Sequence, residues 1–268
     1  MKIAVHAFDD MTMFHLAAPL LVFESAAQLG LAPGWRTTVW SSGPSSIRTV
    51  EHIAVGDLAG PEAADAADLL VFPSWPTEFS APDDEMVALI RRAHERGARI
   101  VGLCLGAFPV VGSGVVDGRT AVTHWAAADE LAAQYPAVDV RASALYIDHG
   151  DVLTSAGTAS AIDACLHIVR RELGAAAAAT LARHLVVAPH RDGHQAQFVA
   201  RPIPEQQAAG PVGETIEWAL GHLAEDLSVA ALAAHACMSR RSFTRRFQEV
   251  AGTTPARWVV ARRLDAGR

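Results

Sequence analysis

The sequence predicts an α/β fold, a mostly parallel sheet sandwiched by helices, with a small all-α domain at the C-terminus. Three observations carry this. Short apolar runs alternate with helix-like stretches over residues 1–185, the pattern of strands crossed over by helices. Residues 186–212 are rich in Pro, Gly and Gln and read as a linker, partly docked through Phe198. From Gly213 onward every stretch reads as helix.

The elements follow in order. "KIAVHAF" is an apolar strand, and "FHLAAPLLVFESAAQLG" is a helix ending at Gly30. "WRTTVWSS" and "ADLLVFPSW" are strands. "DDEMVALIRRAHERG" is an amphipathic helix that starts on acids and stops at Gly97, in keeping with the helix dipole and with a left-handed C-terminal glycine. "ARIVGL" is a fully apolar strand, and "HWAAADELAAQY" is helical. "ALYIDHGDVLTSAG" reads as two short strands joined at His149-Gly150, and "TASAIDACLHIVRREL" and "AAAAATLARHLVV" as helices. In the C-terminal domain, turns are expected near Glu225-Asp226, Cys237-Met238 and Gly252-Thr253.

Just over half of the 268 residues are apolar, enough to bury a sizeable core. No run is long and apolar enough to span a bilayer. "MKIAVHAFDD" turns acidic too soon for a signal peptide. Three cysteines, Cys104, Cys165 and Cys237, lie far apart, which suits a reducing cytoplasm better than a disulfide framework. Cys165 and Cys237 read as core residues. Net charge is −7, yet from Ser239 onward eight arginines face only Glu249 and Asp265. That asymmetry points to nucleic acid as a partner of the C-terminal part.

Gly102-Leu103-Cys104-Leu105-Gly106 has the spacing of a nucleophile elbow, with Cys where hydrolases place Ser. The chain must turn sharply from strand to helix, and the flanking glycines remove Cβ atoms that would collide across the bend. The amides of the following helix would favour a thiolate and lower the Cys104 pKa. The competing reading is a buried core cysteine. A partner base is sought in His124, after a short strand, and in His15, at the start of the first helix. Both are also at home as half-buried residues, since twelve histidines make chance neighbours common. Trp75, at the end of another strand, would wall the pocket, with Leu105 and Thr158 as further ligand contacts. His190 and His194 have metal-like spacing, but Gly193 lies between them and a third ligand is lacking, so neither metal nor cofactor is expected.

"LSVAALAAHACMSRRSFTRRFQEVAGTTPARW" fits a helix-turn-helix, with Ser228 and Ser239 as N-caps. Leu232, Phe243 and Phe247 would pack together. The opposite face carries Arg240, Arg241, Thr244, Arg245 and Gln248, side-chain types that read base edges in the major groove. The bland alternative is a solvated basic face in a small bundle.

"IVGLCLGAFPVVGSGVVDGRTAVTHW" resembles the elbow region of the PfpI-like branch of the class I glutamine amidotransferase superfamily, over residues 1 to about 190. "DVLTSAGTASAIDACLHIVRREL" and "VVAPHRDGHQAQF" resemble the subgroup fused to AraC-type DNA-binding domains, the GlxA-type regulators. The resemblance implies a flavodoxin-like sheet, with Cys104 as the reactive cysteine and His124 as its partner. It also implies a sensing domain over 1–185, a linker over 186–212 and a partial AraC-type domain over 213–268. The family often has an acid four residues before Pro19; here that residue is His15, which would act as a cation beside the sulfur. The AraC pattern continues into a second helix-turn-helix that is not reached by Arg268, so either the chain is truncated there or a homodimer places two reading heads on DNA; a homodimer is expected. The expected function is a transcription regulator sensing an unidentified small molecule. The rivals are a cysteine-dependent enzyme of the isonitrile hydratase kind and a redox sensor.

Overall fold

The computed structural model describes residues 1–193, 195, 197 and 210–266. The chain divides into two compact units, Met1–Val199 and Ala200–Arg268. Among the described residues, no helix is long and apolar enough to cross a membrane.

The first unit is built on a six-stranded sheet. Its strands are β1 (Lys2–His6), β2 (Arg36–Trp40), β5 (Leu69–Phe72), β6 (Arg99–Leu103), β9 (Tyr146–Asp148) and β10 (Val152–Ser155), in the order β2-β1-β5-β6-β10-β9. All neighbours are parallel except β9, which pairs antiparallel with β10 at the edge. Both faces of the sheet are covered, which is why the strands read as continuous apolar runs rather than alternating ones. Ile3, Val5, Leu69, Val71, Val101, Leu103 and Leu153 enter one core. Ala4, Leu70, Phe72, Ile100 and Val152 enter the other.

The first core is closed by α1 (Met13–Gln28), α6 (Ala159–Leu173) and α7 (Ala175–His184). The second is closed by α3 (Asp84–Glu95), α4 (Ala107–Gly112) and α5 (Ala128–Gln134). Asp83 caps α3, its carboxylate accepting from the Met86 amide at 2.7 Å, and Gly97 carries the helix-ending φ of +91°. Short elements the sequence reading did not separate are α2 (Glu62–Asp65), the antiparallel pair β3 (Ile47–Arg48) and β4 (Ala54–Val55), and β8 (Asp139–Val140), which pairs in parallel with β7 (Thr120–Ala121), the expected short strand before His124.

The stretch expected to be a linker is shared between the units. Leu145 and Tyr146 donate to the carbonyl of Gly193, the former at 2.7 Å, and Gln197 is buried against the first unit. Pro211 opens the first helix of the second unit. Phe198, expected to dock this stretch, and His194 lie outside the described residues.

The second unit holds α8 (Pro211–Gly221), α9 (Val229–His235), α10 (Arg240–Ala251) and α11 (Pro255–Ala266). Ser228 and Ser239 cap α9 and α10, accepting from the amides of Ala231 and Ser242 at 3.2 and 3.3 Å. Leu232, Phe243 and Phe247 share one core with Val212, Leu227 and Val259. Cys237 corrects its expectation as a core residue: it is exposed, at φ +53° in the turn between α9 and α10. At that turn its neighbours Ala236 and Met238 make the contact with the core instead. Cys165 is buried as expected.

Candidate functional site

Cys104 sits between β6 and α4 at φ +54°, the strained turn its sequence context predicted. The glycines are required by contact. A Cβ on Gly102 would lie 2.7 Å from the Gly106 carbonyl, and one on Gly106 would lie 1.8 Å from the Phe72 carbonyl. The neighbouring loop brings Thr158 against the elbow, itself at φ +49°. Two non-glycine residues in the left-handed region thus touch, a concentration of strain typical of functional sites. Thr123 Oγ1 donates to the Cys104 carbonyl at 2.9 Å and fixes the turn from a third side.

The expected thiolate is not what this geometry favours. Cys104 is only 4% exposed. Burial pushes its thiol up to about 11, outweighing the opposing hydrogen bonds from the Leu105 amide and from the hydroxyl and amide of Thr158. The physical reason lies in the helix behind it. The elbow opens with a 3-10 turn, Cys104–Gly106, and α4 has only six residues with Pro109 inside. So short a helix adds little dipole, and desolvation of the sulfur dominates.

The histidines are also altered by burial. The hydroxyl of Thr12 hydrogen-bonds to Nδ1 of His15, while His15 Nε2 is buried without a hydrogen-bond partner. Burial first, and the nearby His124 second, lower the His15 pKa; the Glu51 carboxylate opposes this. Burial thus works against the cationic His15 that was expected. Burial lowers His124 as well. The Ala126 amide donates to His124 Nδ1 at 3.3 Å, which places the ring proton on Nε2. His15 and His124 are close enough that protonating one disfavours protonating the other, and among the described residues neither hydrogen-bonds to Cys104.

A cleft of about 290 Å³ opens beside the elbow rather than over the sulfur. It is walled by His124, Trp125, Leu145, Thr158, Arg191 and Gln197, with the Ala156–Ser160 turn as its floor. Of the expected contacts, His124 and Thr158 line it; Cys104, His15, Trp75 and Leu105 do not. Trp75 is turned inward, donating from Nε1 to the Ser80 carbonyl at 2.7 Å and lying 5.9 Å from the His6 ring. Leu105 packs against the second core. Trp125, by contrast, is 49% exposed and walls the opening. Arg191 and Gln197 are site residues that sequence reasoning missed, although both fall in its quoted "PHRDGHQAQF" motif. Gln197 is held by three hydrogen bonds, accepting from the Trp125 amide and donating to the carbonyls of Thr123 and Ala144. Among the described residues no group of three or more potential ligands is placed to hold a metal.

In the second unit, Arg240, Arg241, Arg245 and Gln248 of α10 are exposed and Thr244 is half-buried, while Phe243 and Phe247 are buried on the other face. Arg245 pairs with Glu249 at 3.5 Å, with both side chains largely in water. Such a pair is weak and yields readily to a phosphate.

Comparison with known proteins agrees with this division. Residues 1–171 match the DJ-1/PfpI family, and residues 221–259 match the bacterial regulatory helix-turn-helix proteins of the AraC family. The HTH-type transcriptional regulator ArgR of Pseudomonas aeruginosa is 27% identical over 183 residues, 67% of this chain and 54% of ArgR. The HTH-type transcriptional regulator CdhR of the same species is 25% identical over 87% of this chain and 69% of its own length. The HTH-type transcriptional regulator GlxA of Rhizobium meliloti is 26% identical over 83% of this chain and 66% of its own. The chain thus spans between about half and two thirds of these relatives. The crystal structure of an AraC family transcriptional regulator from Pseudomonas putida superposes with a TM-score of 0.62 at 20% identity, over 69% of this chain and 98% of that one. At that identity the likeness shows the fold. With its strand-to-helix cysteine elbow, its mostly parallel sheet and a matching stretch of 171 residues, the chain belongs to the DJ-1/PfpI family and carries an AraC-type helix-turn-helix.

Proposed function

We propose that this chain is a DNA-binding transcription regulator whose α/β unit senses a small molecule. Arg240, Arg241, Thr244, Arg245 and Gln248 of α10 enter the major groove, arginine and glutamine reading base edges and the remaining arginines meeting phosphates. The small molecule occupies the cleft beside the Cys104 elbow, against His124, Trp125 and Thr158. His15 acts as a neutral neighbour of His124.

One observation carries the reading most: α10 presents an exposed cationic face while its aromatic face is buried in its own small core. A helix so anchored is rigid enough to be docked into a groove. The cysteine-enzyme alternative requires a reactive thiolate, and a buried thiol held near 11 opposes it.

A gel-shift titration with duplex DNA from upstream of its own coding sequence tests this. Retention at low salt should fall steeply as salt rises. Arg241→Ala with Arg245→Ala should abolish sequence preference, each lost base contact costing about 1–3 kcal/mol. Absence of retention at low salt, or retention unchanged in the double variant, refutes it.

A further inference from the structure

The cleft beside the elbow has a polar inventory that constrains what it holds. Gln197 has no donor left for a ligand: its amide hydrogens go to Thr123 and Ala144, and its oxygen accepts from Trp125. The Ser160 hydroxyl donates to the Gly157 carbonyl at 2.6 Å. The Thr158 hydroxyl is engaged with the sulfur of Cys104. Two lining groups keep hydrogens to give. One is the Nε2–H of His124, its Nδ1 being taken by the Ala126 amide. The other is the guanidinium of Arg191, which spends only Nη1, on Asp163 at 2.9 Å, out of five N–H donors. Among the described lining residues Arg191 alone carries a fixed charge, and it is paired with Asp163. The remaining walls, Trp125, Leu145, Ala156 and Ala159, are apolar.

A site whose unspent donors are the open edge of a guanidinium already paired with Asp163 and an imidazole N–H, set between apolar walls, selects a ligand with paired acceptor oxygens and an apolar body. We infer that the cleft binds a small organic monocarboxylate, held by the open side of the Arg191 fork and by His124, with its short carbon chain on Trp125 and Leu145. The cleft, about 290 Å³, is of small-molecule size. This inference rests on the reading of the cleft as an effector site.

The grip also has a mechanical consequence. Arg191 is on the stretch that runs from α7 toward the second unit, and that stretch is fastened to the sheet edge near it. The Tyr146 hydroxyl donates to the Arg191 carbonyl at 2.9 Å, and Gly193 receives the amides of Leu145 and Tyr146. A ligand on the guanidinium ties this stretch to the floor at α6 by one more link.

Calorimetric titration and thermal melting of the full chain with sodium butyrate, butyramide and butylamine, at constant ionic strength set with chloride, test the inference. Butyrate should bind saturably and raise the melting temperature by several degrees; the neutral and cationic analogues should not. Arg191→Gln should remove the response. Arg191→Gln with Asp163→Asn, which leaves no unpaired buried carboxylate, should also remove it while keeping the fold. An equal response to butyramide, a butyrate response surviving in both variants, or no response to butyrate overturns the inference. If butyrate binds as expected but DNA retention is the same with and without it, the anion site stands and the sensing role falls.

Discussion

Gly157 lies directly against Cys104: a Cβ placed on the glycine would sit 2.0 Å from the Cβ of the cysteine and 2.4 Å from its Cα. The two loops at the head of the sheet are therefore in backbone contact, and Gly157 itself has φ +74°.

Gly157→Ala should accordingly be among the most damaging small substitutions in the first unit. The positive φ alone costs about 1 kcal/mol or more, and the overlap forces the elbow to move. The expected loss is ~3 kcal/mol or greater, read as a lower melting temperature of the α/β unit. Gly150→Ala, at φ +100° but with nothing within 4 Å of the added carbon, should lose only the conformational part.

Thiol chemistry should follow exposure rather than the elbow motif. With Cys104 held near 11 by burial, and Cys165 fully buried, the exposed Cys237 should react first with iodoacetamide at about pH 8, where about a thousandth of the Cys104 thiol is ionised. Mass spectrometry of the native protein should show one fast site at Cys237, with Cys104 and Cys165 labelled after unfolding. Rapid labelling of Cys104 at neutral pH would contradict the geometry.

His6 should make the first unit acid-sensitive. It is fully buried at the end of β1 among Phe8, Trp40, Phe72 and Trp75, and both its ring nitrogens are without hydrogen-bond partners. Burial lowers its pKa from 6.5 to about 4. The folded state keeps the ring neutral, whereas the unfolded chain protonates near 6.5. Stability is thus unaffected above that pH and falls as the pH drops toward about 4. The slope approaches 1.4 kcal/mol per pH unit and the total is about 3 kcal/mol. Urea unfolding across that window checks it, and His6→Phe should flatten this component.

Phe243→Ala should unfold the second unit selectively. The ring is fully buried, 5.4 Å from that of Phe247. Such a truncation costs about 3–5 kcal/mol, most of the stability of a unit this small. DNA retention and part of the helical circular dichroism should be lost together, while the melting of the α/β unit is unchanged.

The amino-acid order by itself determined the alternation of apolar strands and helices, the caps at Ser228 and Ser239, the glycine elbow at Cys104 and the two-faced helix at 240–251. These are short-range matters. Periodicity, turn chemistry and capping act within a few residues, so they are legible in a string. Tertiary structure decided what depends on distant neighbours. It buried the Cys104 sulfur beside the cleft, turned Trp75 toward His6, and buried His15 so that its cation is disfavoured. It also turned Cys237 outward, and brought Arg191 and Gln197 back across β9 to wall the cleft. Solvent exclusion and long-range contact set each of these, and neither is encoded in the residues immediately beside them.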